Sequence, residues 1–352
     1  FLSTASSATD GLAFAISGDA TLPTATPISG LVVVVDGYGT DVVTWADPSS
    51  GKVLAQLAVG TGFESNPYDY VEIDATHAYV SRWGDNAASG KQPFDSGNDL
   101  VVIDTSAHKI IGSISLTAPT DMVPPRPAHM IMANGTVVVA LQRISVDFST
   151  YEDGQLAGIV PDKDGGKVAW ITTMPGVKNC DRPTLSPSSS VLAIACEGAI
   201  DVNGNVVSLG AAAIVTFDAT VFPPLEIKRY PISDQLVDGP QWGLAFASDT
   251  LLLGKTQTTY GGARSNQAFS LDLGTGKATS LLTARTDSSG KGKGIVYGDL
   301  RCSPGCANTC LMADADKSVL QRWSIGAAGL APLSSITVET SVGLPPVSVS
   351  GF

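Results

Sequence analysis

The sequence is short of charge, of histidine and of long apolar runs. Charged residues make up 15% of its 352 positions, against about 25% in an ordinary domain. Lys and Arg are the scarcer sign, 21 against 33 Asp and Glu, which leaves a formal charge of −12. A chain this acidic lacks the basic footprint that nucleic acid or an anionic membrane surface requires. Three His and the absence of C-x-x-C-H exclude His-rich copper sites and covalently attached c-type haem. No apolar run approaches the ~20 residues of a membrane-spanning helix; the longest, around Leu209 to Phe217, is less than half that. Amphipathic helical periodicity is missing throughout, and 37 Gly and 21 Pro punctuate the chain too often for long helices.

What is present is a repeat. Hydrophobic residues reach 43%, ample for a sizeable core. Pro recurs after a turn-like stretch and before a strand-like run, at Asn66-Pro67, Arg126-Pro127, Arg182-Pro183, Gly239-Pro240 and Leu344-Pro345, and Arg301-Cys302 fills the missing place. The first intervals are about 56 to 60 residues, the period of a repeat architecture. The unit beginning near Asn66 runs through Tyr68–Ile73, His77–Arg82, Leu100–Asp104 and Ile110–Leu116. The unit near Arg182 runs through Thr184–Ser186, Val191–Cys196, Ala211–Phe217 and Glu226–Ile232. Three others follow the same plan, each segment rich in Val, Ile, Leu, Thr and Phe and bounded by Gly, Asn, Asp or Ser.

Units of four short antiparallel strands at this period predict an all-β fold, a six-bladed β-propeller of four-stranded blades. The stretch Leu31–Gly60 supplies only three strands, and Leu344–Ser350 is an orphan strand at the far end. The expected closure therefore joins that C-terminal strand to the N-terminal blade, which removes the free edges. Seven blades is the alternative, with Gly11–Ile16 as the extra strand. Residues 1–30, rich in Ser, Thr and Ala, read as an extended N-terminal arm or linker, and 31–352 as a single propeller domain. A start at Phe1 reads as a mature or trimmed chain and leaves a lipid anchor open.

The segment Ala78-Tyr79-Val80-Ser81-Arg82-Trp83-Gly84, followed by Asn98-Asp99-Leu100-Val101-Val102-Ile103-Asp104-Thr105 and Lys109-Ile110-Ile111-Gly112-Ser113-Ile114, resembles a YVTN-type β-propeller repeat. The match is partial in Val42–Val53 and Phe269–Lys277, and elsewhere extends only to the strand pattern. The resemblance implies the propeller and an extracytoplasmic bacterial or archaeal setting, in the periplasm or on the cell surface. It implies no chemistry, since propellers host enzymes, ligand binders and scaffolds alike.

Five Cys occur. Cys180 and Cys196 flank a hairpin symmetrically about a turn at Pro187–Ser190, and Cys302 and Cys310 do the same about Cys306. Antiparallel pairing sets such positions opposite each other, within reach of a disulfide. The expected bridges are Cys180–Cys196 and one within the triplet, Cys302–Cys310 ahead of Cys306–Cys310, with one thiol left over. A metal reading of the triplet lacks the C-x-x-C hook of zinc ribbons and any His close in sequence. Disulfides, acidity and low Lys content together point outside the cytosol.

The second-to-third strand connections are the long ones, Trp83–Asp99, Arg143–Gln155, Glu197–Gly210 and Thr256–Gln267, and long loops gathered on one face are where function usually sits. Three constellations fall there. Glu64, Asp121, Asp181, Asp238 and Asp299 each precede a first strand. With Asn66 or Asn179 they have the oxygen count for Ca²⁺, loosely similar to six-bladed gluconolactonase-like propellers; turn capping is the plainer reading. Arg126, Arg182 and Arg301 start three first strands and would grip a carboxylate or phosphate, or staple blades through neighbours such as Asp181 and Asp299. Asp36, Arg82, Gln142, Glu197, Lys255 and Asp314 end the second strands as a mixed-charge ring suited to mutual neutralisation. Loop aromatics Trp83, Phe94, Phe148, Tyr151 and Tyr260 would anchor a partner or stack on a sugar. His129, on a first strand, is the one weak candidate for a catalytic base, and no nucleophile is paired with it in sequence.

Taken together, the residues point to a non-enzymatic secreted or surface-attached propeller that needs no cofactor. It would bind a protein or glycan through its long-loop face, including as an accessory subunit of a cell-envelope complex or a lipoprotein. The alternative is a Ca²⁺-dependent lactonase or esterase.

Overall fold

The computed structural model of the chain describes residues 20–60, 62–117, 122–162, 165–200, 206–236, 239–256, 266–286, 288–289, 297–305 and 307–338, with 346 and 349. These residues form six four-stranded antiparallel sheets, each in meander order, the sheet composition of a six-bladed β-propeller. The first holds β1 (Ala20–Thr21), β2 (Val32–Asp36), β3 (Val42–Ala46) and β4 (Val53–Ala58). The second holds β5 (Pro67–Glu72), β6 (His77–Asp85), β7 (Gly97–Asp104) and β8 (Lys109–Ser115). The third holds β9 (Pro127–Ala133), β10 (Thr136–Leu141), β11 (Asp153–Val160) and β12 (Lys167–Lys178). The fourth holds β13 (Cys180–Leu185), β14 (Val191–Ile200), β15 (Val206–Asp218) and β16 (Leu225–Tyr230). After α1 (Ser233–Leu236), the fifth holds β17 (Ala245–Ser248), β18 (Leu251–Lys255), β19 (Ala268–Asp272) and β20 (Ala278–Ser280). The sixth holds β21 (Tyr297–Ser303), β22 (Thr309–Asp314), β23 (Val319–Gly326) and β24 (Gly329–Thr337).

Two compact units divide the chain. The first comprises residues 1–144 and 155–172, the second 145–154 and 173–352.

In the first unit, β7 shows why its strands read as unbroken apolar runs. Leu100 and Val102 point into one core layer with Val137, Val139 and Leu141, while Val101 and Ile103 point into another with Val33, Val43 and Trp45. A strand buried on both faces has no polar side to alternate with. The fourth strands are the opposite case: β4 and β8 alternate half-buried and exposed positions along most of their length. Buried carboxylates tie the sheets of this unit together. Asp69 accepts backbone N–H bonds from Thr24, Tyr70 and Met130 (2.9, 2.9 and 2.8 Å). Asp41 accepts from Ser65 and Asn66 at 2.7 and 2.9 Å.

The second unit repeats the plan. One layer holds Ala193, Ile214, Leu252 and Phe269, another Leu253, Ala268, Met312 and Trp323. Cys180 and Cys196 stand opposite each other in the β13–β14 register and are bridged; Cys302 and Cys310 do the same across β21–β22. Both are the expected hairpin bridges. Cys306 lies outside the described residues.

Two features of the fold depart from expectation. The strand that pairs with β2 is Ala20–Thr21, with Ala20 opposite Asp36 and Thr21 opposite Val35. Among the described residues, the first sheet therefore draws its fourth strand from the segment read as an arm, in the place expected of Leu344–Ser350. Of that C-terminal stretch only Pro346 and Val349 are described, and Val349 packs on Leu311 and Ala313 of β22. The extra strand considered at Gly11–Ile16 lies outside the described residues. The β14–β15 hairpin also runs past Cys196 to Ile200 and Val206, through register shifts around Ala199. Gly198 makes this bulge feasible: its φ is +86°, and a Cβ there would stand 2.3 Å from the Ser208 carbonyl oxygen.

The Pro repeat has a backbone counterpart. Asn66, Arg126 and Arg182, each directly before a first-strand Pro, adopt left-handed φ values of 45°, 51° and 54°. A non-glycine residue in this region costs on the order of 1 kcal/mol, so the surroundings must hold it. At Arg126 the holding groups are visible: its N–H bonds Asn98 Oδ1 at 3.2 Å, and its carbonyl accepts Gln142 N–H at 3.2 Å.

Candidate functional site

Among the described residues, each unit carries one concentration of functional side chains, built from residues at the ends of first and second strands. In the first unit it is an aromatic–arginine ledge. Trp83 on β6 donates its indole N–H to Gln142 Oε1 at 2.7 Å, which fixes the ring plane. The Arg126 guanidinium lies 3.8 Å from the Trp83 ring centroid and donates to the carbonyls of Trp83 (2.9 Å) and Ile144 (3.2 Å). Tyr68 on β5 stacks on Trp83 at 6.1 Å and 20°, and His129 on β9 meets Tyr68 edge-on at 5.5 Å. Burial holds the Arg126 guanidinium below its ordinary pKa, with the Asp85 carboxylate opposing the shift. Arg126 and His129 are buried, whereas Tyr68 and Trp83 remain half-buried. The ledge thus offers two stacked rings over a fixed cation, a surface that loses little side-chain freedom on binding.

In the second unit the ends of β13, β14, β18 and β21 bring together buried ionic groups. Glu197, just past the Cys196 bridge, takes the Trp242 N–H on Oε1 at 3.2 Å, and Asn179 Nδ2 lies 3.5 Å from Oε2. The Asn179 carbonyl accepts the Trp242 indole N–H at 2.9 Å. Lys255, the last residue of β18, donates to the carbonyls of Tyr297 (3.1 Å) and Gly298 (2.8 Å). Arg182 forms an ion pair with Asp299, and its own N–H bonds Asp181 Oδ1 at 2.7 Å. Burial pushes the Glu197 carboxyl up to about 8, with the Asp181 carboxylate adding to the shift and Trp242 N–H and Lys255 opposing it. Burial first, then the Arg182 and Arg301 guanidiniums, hold the Lys255 ammonium down to about 7. An acid and a base shifted toward each other in one buried cluster mark a candidate site on physical grounds.

The described members of the carboxylate set read from the sequence as a calcium site have these surroundings. Glu64 is exposed, Asp121 and Asp238 lie outside the described residues, and Asp181 and Asp299 are both engaged by Arg182. Among the described residues no three His, Cys, Asp or Glu side chains come together as a metal site. Of the three arginines, Arg126 lies in the first unit and Arg182 and Arg301 in the second. Arg182 pairs with Asp299 as in the stapling alternative, and Arg301 donates to its neighbour's carbonyl, Leu300, at 2.9 Å. Tyr151 is buried at 8% exposure, so it packs inward instead of standing on its loop. Tyr260 lies outside the described residues; Phe94 is 46% and Phe148 37% exposed.

The mixed-charge ring separates into two kinds of residue. Arg82 is fully buried, bidentate on Asp99 (2.8 and 2.7 Å) and bonded to Asp95 at 2.9 Å, and Asp314 pairs with Arg285 at 2.6 Å. Glu197 and Lys255 instead join the shifted cluster. Tyr68, Asp69 and Trp242 were not singled out by sequence. Their signal was positional: each lies one or two residues past a repeat Pro.

No protein-family model and no curated protein sequence matches the chain. Solved structures do. A protein of Lactobacillus plantarum is similar at 12% identity and TM-score 0.58, covering 91% of this chain and 84% of that one. A 6-phosphogluconolactonase-like protein of Bacteroides uniformis is similar at 12% identity and TM-score 0.53, over 88% and 82%. The β-propeller domain of Myceliophteria thermophila Cps50 (Swd1) is similar at 11% identity and TM-score 0.53, over 84% and 80%. Identities this low speak to the fold alone, and the fold is the β-propeller. Two disulfides are compatible with an extracytoplasmic location, and among the described residues no helix is long and apolar enough to cross a membrane.

Proposed function

We propose that the protein is a non-enzymatic, extracytoplasmic binding propeller that takes a protein or glycan partner through its long second-to-third strand loops, including as a subunit of a cell-envelope complex. The observation that carries this reading is the pre-ordered ledge of Tyr68, Trp83 and Arg126, whose two half-buried rings stack on each other, with Trp83 fixed by its hydrogen bond to Gln142 before any partner arrives. Stacked aromatics over a cation suit both a sugar face and a protein hot spot. The YVTN-type resemblance of the second repeat and the two disulfides support the extracytoplasmic setting. The test pairs native mass spectrometry of material taken gently from its source with a glycan array on the purified protein. Each assay is run with Trp83→Ala and Tyr68→Ala beside the unmodified chain. A partner or glycan whose affinity falls at least about tenfold in both variants supports the reading. A partner unaffected by either, or turnover of a lactone or ester that His129→Ala abolishes, would replace it.

A second reading, calcium-dependent lactone or ester hydrolysis, draws on the 6-phosphogluconolactonase-like neighbour. The described carboxylates fit a resident Ca²⁺ poorly, because two of them already answer Arg182 and a third is exposed. No catalytic step is derived through such an ion.

A further inference from the structure

We propose that the rim formed in the second unit by Asn179, Arg182, Glu197, Lys255 and Arg301 binds a small hydroxylated oxyanion, an organic carboxylate or a phosphate, at a site separate from the aromatic ledge. Four observations lead there. The first is charge. The Lys255 amine is buried at 6% exposure, and both Arg182 and Arg301 press on it electrostatically. Like charges held together in a poorly solvated place raise the energy of the empty rim, and an anion relieves it. Among the described residues, Asp181 and Asp299 both answer Arg182, and the Glu197 carboxyl is pushed up to about 8. Burial thus favours the acid form of Glu197.

The second observation is donor supply. A lysine ammonium has three N–H donors, and the Tyr297 and Gly298 carbonyls take two of them. The third is the natural contact for an incoming oxygen. The third observation concerns Asn179. Its side chain is fully buried and its Oδ1 has no hydrogen-bond partner, although its amide nitrogen leans on Glu197. A buried acceptor left unpaired costs about 1–3 kcal/mol, and a ligand hydroxyl is the donor that would satisfy it. Glu197, in its acid form, has a proton to offer a ligand oxygen. The fourth is access. The Arg182 side chain is 12% exposed, Arg301 and Trp242 are half-buried, and position 243 carries no side chain. A Cβ on Gly243 would stand 3.8 Å from Lys255 Cε and 3.9 Å from Arg182 Cδ, and its φ of +93° disfavours any other residue.

Anion binding beside Lys255 favours the ammonium form, so the complex takes up a proton when formed above pH 7. Isothermal titration at pH 7.5, with chloride fixed and in two buffers of different ionisation enthalpy, reads both affinity and proton uptake. The probes are glycolate, acetate and inorganic phosphate. Expected is one saturable site for glycolate, phosphate or both, with net proton uptake. Glycolate preferred over phosphate assigns a carboxylate ligand, and the reverse order a phosphate ester. Acetate binding about tenfold more weakly than glycolate reports the hydroxyl contact. Lys255→Met and Arg301→Gln are each expected to weaken binding at least about tenfold, while Lys228→Gln, at an exposed position, leaves it unchanged. Arg301→Gln keeps the test decisive should Lys255→Met fail to fold. Absence of saturable heat up to about 10 mM for both oxyanions, or affinity unchanged in Arg301→Gln, overturns the proposal. Acetate equal to glycolate overturns the role given to Asn179. None of these outcomes touches the ledge, so this site and the proposed function fail independently.

Discussion

Replacing Arg82 by Met should be the most damaging single change in the first unit. Arg82 is fully buried and donates five hydrogen bonds: two to Asp99, one to Asp95, and one each to the carbonyls of Val59 and Phe94. Met fills most of the volume but leaves two carboxylates, Asp95 at 4% and Asp99 at 1% exposure, without their cation. Breaking one side of a buried ion pair costs about 3–5 kcal/mol, and the two stranded carbonyls place this case toward the upper end. The loss should depend on pH in a defined direction. Burial already raises the Asp99 carboxyl above its ordinary 3.8, against the pull of Arg82. Removing Arg82 removes that pull, so the folded-state value rises further. A folded value above the unfolded one contributes stability that is fully present below the unfolded value and is lost as pH rises through the folded value. The deficit of Arg82→Met is therefore smaller at pH 5 than at pH 8. Urea unfolding followed by tryptophan fluorescence at both pH values measures it. A deficit under about 1 kcal/mol at pH 7, or one that grows as pH falls, would refute the reasoning.

Two further predictions concern the links between and within sheets. Asp69→Ala strands three backbone N–H groups, of Thr24, Tyr70 and Met130. It should cost at least about 3 kcal/mol and speed amide exchange at Met130, whereas an unchanged exchange rate there would mean that the carboxylate is dispensable. Removing the Cys180–Cys196 bridge, which spans 16 residues, should cost about 3 kcal/mol on loop-closure grounds. With two disulfides among five cysteines, the denatured, unreduced chain should react with one equivalent of thiol reagent, and three equivalents would show that one bridge does not form in solution.

The strands of this protein are legible one at a time because each carries a local signal. Turn residues bound them, apolar runs mark the strands buried on both faces, and alternation marks the exposed fourth strands. Cys180 opposite Cys196 and Cys302 opposite Cys310 follow from the same local rule, since a hairpin's register is set by its own turn. Ala20–Thr21 was beyond such reading: two residues have no period, and only the free edge of β2 makes them a strand. The functional residues divide the same way. Residue type and place along the repeat brought Trp83, Arg126, Arg182, Glu197, Lys255 and Arg301 into view. Only the packing of sheets within a unit separates Arg82, neutralised by Asp95 and Asp99, from Glu197 and Lys255, whose ionisation burial opposes. Charge sign is written in the sequence; the free energy of keeping that charge depends on distance and solvent. Sheet number and hairpin bridges were therefore determined residue by residue along the chain, whereas the ledge and the ionic rim were decided by side chains far apart in sequence meeting where water is largely excluded.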